Sequence, residues 1–121
     1  MDYEQEADRI ALEGHDAGAA LWQAIDIAMN VGMSARKARR LFDALVDDIA
    51  DELSGTEADL FRASAYEALP LSVTSTVERS EINANAWRAW EVFVGDAREA
   101  EADYRADFYA DQRRDEQRGA A

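Results

Sequence analysis

Residues 27–41 read IAMNVGMSARKARRL, and this stretch decides the fold. Gly32 breaks an apolar helical run and Ser34 is a good N-cap for the next one, so two helices meet at a short turn. The second helix is expected to reach about Ser54. In it Leu41, Phe42, Leu45, Val46, Ile49, Ala50 and Leu53 recur at intervals of three and four, leaving Asp43, Asp47, Asp48, Asp51 and Glu52 on the outward side. The start of that helix is a basic island, Arg36, Lys37, Arg39 and Arg40, in a chain whose formal net charge is -13.

Outward from this turn the pattern stays helical. Upstream, Tyr3 to Glu13 is a short candidate helix stopped by Gly14, and Asp16 can cap another from about Ala17 to Asn30 that carries Leu21, Ile25 and Ala28 on one face. Downstream, Gly55 ends the amphipathic helix and Thr56 can cap the next, with Asp59 at its third position. Leu60, Phe61, Ala65 and Leu69 form its apolar face until Pro70 stops it. Leu71 to Arg79, LSVTSTVER, is β-rich, but a lone strand has no partner, so it is expected to be an extended connection. From Ser80 a long helix is expected to reach about Gln112, with Ile82, Ala86, Trp90, Phe93, Ala97, Ala100, Tyr104 and Phe108 along one stripe and Gly95 as its weak point. The expectation is an all-α, compact helical bundle forming one domain over residues 1–112, with a flexible tail over 113–121.

Composition bounds the function. The chain has 121 residues, 48% of them hydrophobic and 32% charged, which suits a folded globular domain. No apolar run approaches the roughly 20 residues needed to span a bilayer, and the acidic start MDYEQEADRI is unlike a secretory signal. A soluble, cytoplasmic protein with no membrane partner is expected. The absence of cysteine excludes disulfides and thiolate metal sites. Acidity of this degree has three open readings: a solvated surface, imitation of nucleic-acid phosphates toward a basic protein, or binding of divalent ions. Lys37 is the sole lysine and alanine is abundant, a bias that suits a GC-rich or halophilic source, or a virus of one.

A pair of helices crossing at a tight turn needs a small residue at the crossing, a residue tolerant of positive φ in the turn, an apolar residue after it and apolar anchors beyond. Ala28, Gly32, Met33, Ala38 and Leu41 occupy those places, with Ile27 packing ahead of Ala28. Over about residues 24–46 this resembles the helix-turn-helix family. The resemblance implies that Ser34 caps a recognition helix and that Ala35, Arg36, Lys37, Arg39 and Arg40 lie on or near its outer face, where arginine reads guanine or clamps phosphate. The same region is similar to the first two helices of histone-like HU proteins, in Ala28, Met33, Ser34, Ala38, Ile49 and Leu53. That likeness stops near Gly55, and the sheet and basic arms with which HU holds DNA are absent, so HU function is not carried over. Between Ala17 and Phe42, Asp26 is the one acid set against the four basic residues, so the island has a local positive charge.

A rival reading rests on the carboxylates. Asp43, Asp47 and Asp51 stand four residues apart and Asp48 pairs with Glu52, about 6 Å along the axis from the rise of a helix. That spacing is comparable to backbone phosphates, and Glu91, Asp96, Glu99, Glu101, Asp103, Asp107 and Asp111 decorate the last helix. In style this looks like the acidic antirestriction or anti-CRISPR inhibitors carried by phages, whose partner would be a basic nucleic-acid-binding protein. A third possibility is a structural or assembly adaptor.

Enzyme chemistry finds little support. His15 is the sole histidine, lies in a Gly-His-Asp turn and is expected at an exposed helix end. Neither a second histidine nor a cysteine completes a transition-metal site or a Ser-His or Cys-His pair, and there is no phosphate-binding glycine loop. No enzyme, cofactor or metal is expected. Trp87 and Trp90 have two readings, inter-helix packing or a subunit interface in which Trp87 and Val94 form a second stripe. Because helix-turn-helix proteins commonly dimerise, a homo-oligomer is expected.

Overall fold

The computed structural model describes residues 2–119, with side chains described through residue 110. Helix α1 is continuous from Tyr3 to Asn30. This corrects the expected stop at Gly14, the expected cap at Asp16 and the placing of His15 in a turn. The reason lies in helix α3, Gly55–Glu67. A Cβ built at Gly14 would stand 2.4 Å from the carbonyl oxygen of Phe61, and one at Gly18 would stand 2.2 Å from that of Ala65. Each glycine costs a helix interior about 1 kcal/mol relative to alanine, yet here the missing side chains let two backbones touch. The α1 N-terminus is fixed by Asp2, whose carboxylate accepts the backbone N–H of Glu4 at 3.0 Å and of Gln5 at 3.2 Å.

Helix α2, Ala35–Ala50, begins where the sequence places it, behind Ser34. It ends at Ala50 rather than Ser54, and residues 51–53 form a turn. Helix α3 begins at Gly55, where φ is +56°, so Thr56 lies inside the first turn instead of capping it. After Pro70 a single 3-10 turn, Leu71–Val73, leads into helix α4, Thr76–Gly119. The expected extended connection is thus cut short. Ser75, not Ser80, supplies the cap: its hydroxyl accepts the N–H of Glu78 at 3.1 Å. A satisfied helix start outweighs the β propensity of Val77, which sits exposed in the first turn. Helix α4 runs past its expected end near Gln112, and the side chains of the expected tail, 113–121, lie outside the described residues.

The architecture is the all-α bundle that the periodicity predicts. Helices α1 and α3 run side by side in the same direction, since their close approaches step forward together from Gly14 on Phe61 to Gly18 on Ala65. Helices α2 and α4 flank this pair and run the other way. Trp22 meets Phe42 edge-on, and Ala50 packs in one cluster with Ala7 and Ile10. On the other flank, Trp90, Arg98 and Glu101 of α4 reach back to Asp8, Glu4 and Tyr3. One apolar cluster surrounds Phe42 with Trp22, Ile25, Val46, Leu69 and Ile82. The other joins Ile10, Leu60, Phe61 and Val94. Beyond Glu101, residues 102–110 of α4 are all exposed and the helix projects past the bundle. No described helix is long and apolar enough to cross a membrane.

Candidate nucleic-acid interface

The corner between α1 and α2 turns on Gly32, whose φ of +118° is a backbone conformation that L side chains rarely adopt. The N–H groups of Gly32 and Met33 donate to the carbonyls of Met29 and Ala28, each at 3.1 Å, and so close the end of α1. Met33 packs against the Phe42 cluster, and Ala38 is fully buried. Two apolar residues depart from the expected packing. Ile27 is 64% exposed and Leu41 is 37% exposed. The buried line of α2 is Ala38, Phe42, Val46 and Ala50, at strict four-residue steps, which rolls Leu41 to the rim. The buried line of α1 passes through Trp22 and Ile25, leaving Ile27 outside.

The first two turns of α2 present the island. The Ser34 hydroxyl accepts the N–H of Lys37 at 3.2 Å, so it is committed to the cap. Ala35, Arg36, Lys37 and Arg40 are exposed. Among the described residues no ion pair engages Arg36, Lys37 or Arg40. Arg39 is the exception and corrects the expected outer face. Its guanidinium turns inward to Asp43 and to Glu78 of α4, and lies 5.5 Å from the centre of the Tyr66 ring. Arg39 therefore ties α2 to α3 and α4.

The acidic ladder divides in the same way. Asp43 accepts the Tyr66 hydroxyl at 2.6 Å, and Asp47 accepts from Arg62 Nε at 2.8 Å. Asp51 stands 3.8 Å from the same guanidinium. Three of the five carboxylates thus face cations or donors of neighbouring helices. Asp48 and Glu52 are exposed and take part in no ion pair among the described residues. Burial, reinforced by the bond to Asp43, holds the Tyr66 hydroxyl well above the ordinary tyrosine range.

The tryptophan stripe also splits. Val94 is buried in the protein's own core beside Leu60 and Ile10, which corrects its assignment to a subunit interface. Trp90 is half-buried and its indole N–H donates to Asp8 at 2.9 Å. Trp87 remains 63% exposed and stacks on Trp90 with ring centres 5.7 Å apart.

Sequence reasoning missed Arg62, Tyr66 and Arg79, which bind the helices to one another. Arg79 donates to the carbonyl of Glu67 at 3.2 Å and to that of Leu69, closing the C-terminal end of α3 from the first turn of α4. These links join positions ten or more residues apart, so no local pattern marks them. No protein-family model, curated protein or solved structure matches the chain.

Proposed function

We propose that this protein is a non-enzymatic DNA-binding module that grips the phosphates of a duplex with the N-terminal turns of α2, in a regulatory or viral packaging role. The observation that carries the reading is the asymmetry along α2. Arg36, Lys37 and Arg40 stay exposed and unpaired among the described residues, while Asp43, Asp47 and Asp51 are matched by Arg39, Arg62 and Tyr66. Pairing lowers the repulsion those acids would exert on phosphates. The helix N-terminus adds unsatisfied backbone N–H groups and the positive end of its dipole. The rest of the surface is acidic and would face away from the duplex.

The same asymmetry weakens the acidic-mimic reading on α2, because only Asp48 and Glu52 of the ladder remain unengaged among the described residues. An assembly role draws its support from the projecting part of α4, where Tyr104 and Phe108 are 73% and 51% exposed.

A salt titration of binding to duplex DNA, followed by fluorescence anisotropy, tests the proposal. Three phosphate contacts give a slope of log K against log salt of roughly -2.7, and Arg36→Ala or Arg40→Ala each lowers its magnitude by about 0.9. Arg39→Ala lowers stability and leaves the slope nearly unchanged. No binding at low salt, combined with capture of a basic nuclease, would overturn the reading in favour of the inhibitor class.

A further inference from the structure

A cleft to which α2 contributes no lining residue has a different chemistry. It opens where α1, α3 and α4 meet, measures about 300 Å³, and is lined by Asp8, Ser64, Glu67, Asn83, Trp87 and Trp90 among others. We propose that it binds an organic cation, an alkylammonium or alkylguanidinium group, presented by a free small molecule or by a lysine or arginine side chain of a partner protein.

Three observations converge on that class. The first is aromatic: Trp87 and Trp90 stack nearly parallel, at 7° between planes, and Trp87 remains 63% exposed. A cation within about 6 Å of an indole ring centre is attracted to its electron-rich face. The second is charge. Asp8 and Glu67 line the cleft and no arginine or lysine does, whereas the groove between α3 and α4 is lined by Arg62 and Arg88, and a third recess by Arg39. Asp8 is held in place by the indole N–H of Trp90 on one oxygen, which leaves its other oxygen for a ligand. The third is a buried acceptor. Ser64 is 1% exposed, lines this cleft, and its hydroxyl has no hydrogen-bond partner among the described residues. A buried hydroxyl left unpaired costs stability, and an N–H donor seated in the cleft would satisfy it once a small outward shift of the wall exposed the oxygen.

Alternative ligands fit less well. An anion would meet two carboxylates, and a hard divalent ion needs six or more oxygen ligands where two indoles occupy the wall. An alkyl cation matches both halves, its charge shared between an indole face and the carboxylates of Asp8 and Glu67 and its apolar body against the tryptophan rings. The general acidity of the chain raises the concentration of cations at its surface, which favours occupancy of a site that adds shape and aromatic faces. None of this depends on DNA binding by α2.

Proton–nitrogen NMR of the three indole N–H groups reads the site directly, because Trp22 in the core serves as an internal control. Butylguanidinium should shift the Trp87 and Trp90 signals saturably and leave Trp22 in place, while butylurea, its neutral isostere, and equimolar sodium chloride should not. Asp8→Asn keeps an acceptor for the Trp90 N–H but removes the charge, and should weaken binding at least tenfold. Trp87→Ala should weaken it by a similar factor, and Trp87→Phe should restore part of the loss. A short arginine-containing peptide binding tenfold tighter than butylguanidinium assigns the cation to a partner protein, and equal or weaker binding assigns it to a small molecule. The proposal fails if no shift saturates up to the solubility limit, if butylurea acts as butylguanidinium does, or if Asp8→Asn binds normally with its Trp22 signal unmoved.

Discussion

The bundle over residues 3–101 and the projecting part of α4 over residues 102–110 are built from the same residue types and use them in opposite ways. Phe42 is fully buried between Trp22 and Tyr66, meeting both rings edge-on at 5.9 and 5.4 Å, whereas Phe108 is 51% exposed beside Tyr109. The same rule holds for two glycines inside the bundle itself: Gly18 is buried against the backbone of Ala65, whereas Gly95, near the end of the packed part of α4, has nothing within 4 Å of where its Cβ would stand. The energetic meaning of a residue in this protein is thus set by its neighbours, and matched substitutions in the two regions expose the difference.

The largest effect is expected at Phe42. Phe42→Ala removes a fully buried ring from the junction of α1, α2 and α3 and should lower unfolding stability by about 4 kcal/mol, measured by urea denaturation. Gly18→Ala follows at about 3 kcal/mol, the cost of forcing α1 and α3 apart where a methyl group meets a carbonyl oxygen. A neutral or stabilising Gly18→Ala would show that the backbones of α1 and α3 do not touch at Ala65.

Much of the bundle was legible in the sequence, and the failures share one cause. The Ser34 cap and the centre of the apolar face of α2, Phe42, Val46 and Ala50, follow from local spacing, whereas Leu41 and Ile49 of the expected face lie exposed at its rim. Gly14 and Gly18 look the same to local propensity as any helix breaker, because the reason for them lies on Phe61 and Ala65, more than forty residues away. Arg39 shows the same limit at the candidate interface. Its position in the first turns of α2 groups it with Arg36, Lys37 and Arg40, but the placement of Tyr66 and Glu78 draws it inward. Val94 shares a stripe with Trp87 on paper, but it lies about two turns further along α4, where Ile10 and Leu60 cover it while Trp87 stays exposed.

Tyr66 sharpens the comparison through pH. Its hydroxyl is held above the usual tyrosine value of about 10, first by burial and then by Asp43. A group whose folded pKa is raised contributes stability that is complete below the unfolded value and is lost as pH rises through the folded one. The wild-type protein should therefore be more stable than Tyr66→Phe by about 1 kcal/mol at neutral pH, and this margin should shrink above about pH 10. Denaturation midpoints of the two proteins measured on both sides of that pH check the sign. A margin that grows with alkalinity would show that Tyr66 is not the group being titrated.

The smallest effects belong to α4. Gly95→Ala meets open space and has no unusual φ to accommodate, so helix propensity alone applies and stability should rise by about 1 kcal/mol. Phe108→Ala removes a ring that rests on no core residue and should change stability by less than about 0.5 kcal/mol. The pair Phe42→Ala and Phe108→Ala is the sharper control, because the chemistry removed is identical and only the surroundings differ. A loss at Phe108 approaching that at Phe42, at a protein concentration where the chain is monomeric by light scattering, would mean that residues 102–110 pack against the bundle after all. A loss that instead appears only as concentration rises would place Phe108 in a contact between copies, since association stabilises the folded chain by mass action and vanishes on dilution.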